Sequence, residues 1–116
     1  MNVYDLAHAL ARSMQQSEEY RDYIRLKDLA YADATNKTLL DEYKRLQFRM
    51  QAHLAAGQNM DEGELQRMQQ IAGLLQFNQD ASAYLLAEFR FQKMLADVYK
   101  ILADVAGIDL DALTQN

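Results

Sequence analysis

Apolar side chains recur along this chain every three to four residues, a period that predicts helices rather than strands. Val3, Leu6, Ala7, Leu10, Ala11 and Met14 form one stripe on a first helix from about Asn2 to Gln16, with Asn2 placed to cap it and Asp5 in the favoured first turn. Ser17, Glu18 and Glu19 restart the chain as a second helix that carries Tyr20, Tyr23, Ile24, Ala30 and Tyr31 on one face. Lys27 falls in the middle of that face. The stretch YADATN, residues 31 to 36, supplies caps and a turn. A third helix then runs to about Ala56, with Leu39, Leu40, Tyr43, Leu46, Met50 and Leu54 as its stripe, Gln47 and His53 at the border, and Phe48 pointing the opposite way.

GQNMDEGE, residues 57 to 64, is the clearest loop. Gly57 suits the left-handed position after a helix, and Asp61 with Glu64 has the spacing of a capping box. A shorter fourth helix places Leu65, Met68, Ile71, Ala72 and Leu75 inward, and Gly73 weakens it by roughly 1 kcal/mol relative to alanine. FNQD, residues 77 to 80, breaks the chain again, with Asn78 positioned to cap a final helix that ends at Gly107, ahead of the tail IDLDALTQN.

That final helix has a broad apolar arc. At about 100° per residue, Tyr84, Phe91, Leu95, Val98, Tyr99 and Leu102 fall together with Glu88 among them. Leu85, Phe89 and Ala96 widen the arc on one side, and Met94, Ile101 and Val105 on the other. Arg90, Lys93, Asp97, Lys100 and Asp104 occupy a narrow polar strip. The third and fifth helices, about 20 and 27 residues or roughly 30 and 40 Å, are long enough to pack as antiparallel rods through the fourth, with the first two alongside. The expected fold is therefore all-α, a single helical domain over residues 1–116 of about five helices, dimeric, with 107–116 as a short tail. One flank of the last helix then faces its own bundle and another faces a second copy. A monomer whose last helix is surrounded by its own chain satisfies the same pattern.

Composition narrows the function. The 116 residues contain no proline, no cysteine and four glycines, which suits helices and excludes disulfides and thiolate-held metals or clusters. A net charge of −5 argues against a general nucleic-acid or anionic-membrane surface. No apolar run reaches membrane-spanning length, and the N-terminus lacks the basic start and apolar block of a secretion signal, so a soluble cytoplasmic protein without membrane insertion is expected.

Candidate chemistry is thin. Ser13, Ser17 and Ser82 sit in no nucleophile motif, and no glycine-rich phosphate loop exists. Asp5 and His8 make a two-ligand spacing at a helix edge, and His53 borders an apolar stripe; a solvated pair and a hydrogen-bonded histidine account for both. No catalytic residue, metal or cofactor is assigned. KRLQFR, residues 44 to 49, offers Lys44, Arg45, Arg49 and Phe48 to phosphates and bases, but Asp41 and Glu42 lie within a turn. An exposed helix face with ion pairs is the expectation, with no direct nucleic-acid binding. Phe48 is marked as a contact point for a partner. Lys27 and Glu88, each within an apolar face, either pair at a helix seam with help from Gln92, Tyr20 and Tyr23, or reach water along their stems. The candidate interface is thus Lys27, Phe48, Tyr84, Glu88, Phe91, Gln92, Leu95, Val98, Tyr99 and Leu102. A small-ligand cavity near Glu88 and Gln92 is the alternative use of the seam.

The order of motifs resembles the YlbF/YmcA family of small bacterial helical proteins: SEEY at 17–20, LLDEY at 39–43, LQ at 46–47, AEFRF at 87–91 and DVYKI at 97–101, within a likeness spanning roughly residues 2 to 111. The resemblance implies an all-α bundle that forms dimers or larger assemblies. It also implies a regulatory role in competence, sporulation and biofilm formation, through a complex of related small proteins and a further partner that adjusts messenger-RNA processing by a membrane-associated endoribonuclease. Members of that assembly hold iron–sulfur clusters with cysteines. This chain departs from them in having none.

Overall fold

A computed structural model of the chain describes residues 2–108 and contains five helices: α1 (Val3–Gln15), α2 (Glu18–Ala32), α3 (Ala34–Ala55), α4 (Glu62–Gln76) and α5 (Gln79–Val105). The fold is all-α, as the apolar period predicts. The tail from residue 109 onward lies outside the described residues.

Short polar side chains set the helix starts. Asn2 Oδ1 accepts from the Asp5 N–H at 2.8 Å, and Ser17 Oγ from the Tyr20 N–H at 3.2 Å. Asp33 Oδ1 accepts from Asn36 at 3.0 Å, Asp61 Oδ2 from Glu64 at 3.1 Å, and Asn78 Oδ1 from Ala81 at 2.9 Å. Each bond satisfies one of the N–H groups that a helix leaves without an internal partner. The break expected over 31–36 shrinks to Asp33, because one extended aspartate suffices to end α2 and cap α3. The loop after α3 is likewise shorter than 57–64, since the Asp61 cap lets α4 begin at Glu62. Two helices stop through glycine. Gly57 (φ 72°) follows α3 while the Gln58 N–H reaches back to the His53 carbonyl at 2.8 Å. Gly107 (φ 74°) follows α5 while Ile108 reaches Ala103 at 3.0 Å. This is the left-handed closure that a Cβ would strain.

The chain resolves into two compact units, one of Met1–Tyr23 with Leu86–Asn116 and one of Ile24–Leu85. In the Ile24–Leu85 unit α3 and α4 form an antiparallel hairpin, with Glu42 opposite Arg67 and Arg49 opposite Glu64. Leu40, Leu46, Met68, Ile71 and Leu75 are buried there together with Ala30, Ala81 and Tyr84. Tyr84 meets the Tyr31 ring edge-on with centroids 5.7 Å apart, and the Lys44 ammonium lies 5.2 Å from the Tyr84 centroid. The buried polar Asn36 donates its Nδ2–H to Asn78 Oδ1 at 3.0 Å, tying the first turn of α3 to the residue that caps α5.

The other unit is built differently. Tyr20 and Tyr23 of α2 enclose Phe91 of α5, at centroid distances of 5.4 and 5.3 Å, one edge-on and one stacked. Among its described residues Ala87 alone is buried, and α1 buries no side chain at all.

A candidate interaction surface

Position along α5 decides how much of its apolar arc is covered. In the unit that contains them, Ala87, Phe91, Met94, Val98, Ile101 and Val105 are spaced alternately by four and three residues, the pattern of a helix seam that packs against another helix. Ala87 is buried and Phe91, Met94 and Val98 are half-buried, but Ile101 is 66% and Val105 90% exposed. The seam is thus covered at its start, where the α2 tyrosines lie, and bare at its end. Tyr99 and Leu102 beside it are also exposed, at 58% and 55%. On α1 most of the stripe that its amphipathic sequence predicts lies in solvent: Val3, Leu6 and Leu10 are exposed, as is Tyr4 outside the stripe, while Met14 is half-buried.

The candidate interface residues separate into different environments. Leu95 and Val98 are half-buried on α5, Tyr99 and Leu102 exposed beside the bare end of the seam, and Gln92 exposed. Phe91 is held in the aromatic trio. Tyr84 is the fully buried centre of the Ile24–Leu85 unit. Lys27, half-buried, belongs to that unit, with its ammonium 5.9 Å from the Tyr31 centroid; Glu88, also half-buried, belongs to the other. Phe48 stands out from α3 with most of its ring in water, as its position opposite the stripe predicts.

Sequence reasoning missed Phe77, the most exposed large apolar residue of the Ile24–Leu85 unit, and its neighbour Leu74. FNQD reads as a break, and nothing in a break says whether its aromatic residue turns in or out. Ile101 and Val105 entered only as widening an arc; their four-and-three spacing with Val98 and Met94 is the signal that sets them apart.

Charges around KRLQFR are engaged within the protein. Arg67 donates from Nε and Nη2 to the two oxygens of Glu42, at 2.6 and 3.0 Å, a bidentate pair across the hairpin. Those hydrogen bonds hold the Glu42 carboxyl below its ordinary value, against a smaller opposing effect of desolvation, and raise the Arg67 guanidinium further. Arg49 donates to Glu64 at 2.8 Å, and Lys37 pairs with Asp41 at 3.0 Å. In the middle of α5, Lys93 and Asp97 pair at 3.2 Å with both side chains largely exposed. His53 Nδ1 lies 3.4 Å from Gln58 Oε1. No helix among the described residues is long and apolar enough to cross a membrane.

Comparison with known proteins places this architecture. A family described as "Control of competence regulator ComK, YlbF/YmcA" matches residues 3–105. A UPF0342 protein of Halothermothrix orenii is 34% identical over 116 residues, covering all of this chain and 96% of its own. One from Desulfitobacterium hafniense is 34% identical over 104 residues, covering 90% of this chain and 84% of its own. Among solved structures, a protein of unknown function (DUF964) from Bacillus stearothermophilus superposes with a TM-score of 0.74 at 19% identity, covering 90% of this chain and 92% of that one. Bacillus subtilis RicA in complex with RicF superposes with a TM-score of 0.59 at 17% identity, covering 90% and 93%. These structures share the fold, and the family match extends over nearly every described residue. The chain belongs to the YlbF/YmcA family of helical regulatory proteins.

Proposed function

We propose that this protein is a non-catalytic helical adaptor of the bacterial cytoplasm, which works by presenting apolar helix faces to other small regulatory proteins. The observation that carries this reading is the quantity of large apolar side chain left in water: Val105, Phe77, Val3, Tyr4 and Phe48 are each more than 70% exposed. Keeping such surface wet forgoes roughly 25 cal/mol per Å² that burial against a partner recovers. The family description supports a regulatory role, and RicA, whose fold is similar, was solved with another protein bound. Competence, sporulation, biofilm formation and messenger-RNA processing are the settings in which such an adaptor acts.

Affinity purification from the native cell with mass spectrometry tests this. The tagged chain is expected to retain a related small helical protein, and exposed-face variants such as Phe48→Ser and Phe77→Ser to lose it while keeping their helicity. A chain that recovers no stable partner, or one whose partner is indifferent to every exposed apolar residue, counts against the adaptor. A reading as a small-ligand bundle would instead be favoured by a compound co-purifying in the seam near Glu88 and Gln92.

A further inference from the structure

Phe48 stands in water on a helix whose charge runs against that of the chain. Among the five described helices, α3 alone has more bases than acids: Lys37, Lys44, Arg45 and Arg49 against Asp41 and Glu42. The chain as a whole carries a net charge of −5. We infer that the outer face of α3 docks an acidic amphipathic helix of a partner protein, which sets an apolar side chain on Phe48 and a carboxylate on Arg45. This rests on the adaptor reading and gives the chemistry of the partner for one of its exposed faces.

The helical period defines the face. At about 100° per residue, Lys44, Arg45, Gln51, Ala52 and Ala55 all fall within about 60° of Phe48. Phe48 is 73% exposed, and Arg45, Gln51, Ala52 and Ala55 are exposed around it. Arg45 lies one turn before the ring, where its planar fork of donors suits a carboxylate. Ala52 and Ala55 lie one and two turns after it, and their short side chains let a second helix approach closely. The acid on this face, Asp41, is paired with Lys37 at 3.0 Å, so that pair cancels within the face.

The other acids lie elsewhere. Glu42 and Arg49 are about 100–120° round the helix from Phe48, on the flank that meets α4. There Glu42 is held by both of its oxygens to Arg67, and Glu64 of α4 accepts from Arg49 at 2.8 Å. Arg45 stands between that flank and the ring, so a ligand on Phe48 meets a cation before it meets those acids. On the other side of the ring Lys44 adds positive charge, its ammonium 5.2 Å from the Tyr84 centroid.

The occupant follows from this order of groups. One carboxylate, an apolar residue three or four positions on, and a second apolar residue three or four beyond that would meet Arg45, Phe48 and the alanines in turn. A nucleic-acid strand fits less well, because it needs phosphate contacts repeated along a groove and aromatic rings for successive bases. This face has one ring and carries Asp41, in a chain of net negative charge.

Two fluorescein-labelled helical peptides of about 18 residues test the inference. One carries glutamate and leucine at the spacing above; its counterpart has lysine in place of every glutamate. Binding to the full chain is read as the part of the polarisation signal that Phe48→Ser removes. The acidic peptide is expected to bind at least about 10-fold more tightly than the basic one, against the net charge of the chain. Arg45→Glu is expected to abolish or reverse that preference, with helicity unchanged because the position is exposed. Equal binding of the two peptides, a signal indifferent to Phe48→Ser, or a preference unaltered by Arg45→Glu would each overturn the inference. So would oligouridine that binds through Arg45 more tightly than the acidic peptide, which would make the face a nucleic-acid surface. If a partner is captured from the native cell as tightly by Phe48→Ser and Arg45→Glu as by the wild type, this docking fails and the adaptor reading stands. If the acidic peptide binds as expected and the native cell yields no partner, the adaptor reading alone fails.

Discussion

The Ile24–Leu85 unit and the unit containing α1 and the end of α5 are made from the same helical pattern, yet only one of them finishes its core. In the first, Leu40, Ile71, Leu75 and Tyr84 are almost wholly removed from water, and a buried amide pair and a bidentate ion pair join helix to helix. In the second, an aromatic trio holds α2 to α5, Ala87 alone is buried, and the apolar stripes of α1 and of residues 99–105 face solvent. A helix gains most of its stability by burying its apolar stripe, so α3 and α4 of the first unit gain more from their own chain than do α1 and the end of α5 in the second. The closed core lies in the first unit, while apolar side chains stay exposed in both, Phe48 and Phe77 in the first and Val3, Ile101 and Val105 in the second.

The sharpest way to break that comparison is to remove a large side chain from each unit. Tyr84→Ala should cost about 3–5 kcal/mol in denaturant unfolding, because it opens a cavity in a closed core. Tyr99→Ala, at a position more than half exposed, should cost well under that. Equal costs would mean that the two units are not different in kind. Asn36→Ala should cost about 1–3 kcal/mol, since it removes the buried donor to Asn78 while leaving Asn78 to cap α5. Gly73→Ala should stabilise α4 by about 0.5–1 kcal/mol, as a Cβ there meets nothing within 4 Å.

Acid provides the smallest and most selective probe. The folded Glu42 carboxyl titrates below its ordinary value of 4.5, so the unfolded chain takes up that proton first as pH falls. The Glu42–Arg67 contribution is therefore full above about pH 4.5 and is lost as pH falls through the lower folded value. Glu42→Gln should flatten this part of the stability–pH curve, seen as a smaller decline in melting temperature between pH 5 and pH 3.

Much of the fold is legible in the residues because local chemistry decides it. Asn2, Asp61 and Asn78 cap where short polar side chains precede apolar periods, and Gly57 and Gly107 take the left-handed turns that other residues avoid. Phe48 opposite the α3 stripe is exposed for the same geometric reason. What escapes the sequence is which part of a continuous apolar arc is covered. Tyr84 and Leu102 lie on one face of α5, but one is fully buried and the other more than half exposed. That difference depends on where α2 supplies aromatic rings, a long-range fact that no period records. Asn36 gives no sign of its partner 42 residues away. Phe77 lies at a helix end, where periodicity no longer assigns a face.

Hydrogen–deuterium exchange of the purified chain across a dilution series tests the division of labour most directly. The account predicts that amides of residues 36–46 and 64–75 stay protected at every concentration, while those of 95–105 exchange faster in the dilute chain. If residues 95–105 remain as protected as the α3–α4 hairpin at every dilution, their helix is complete within one chain and the account is wrong.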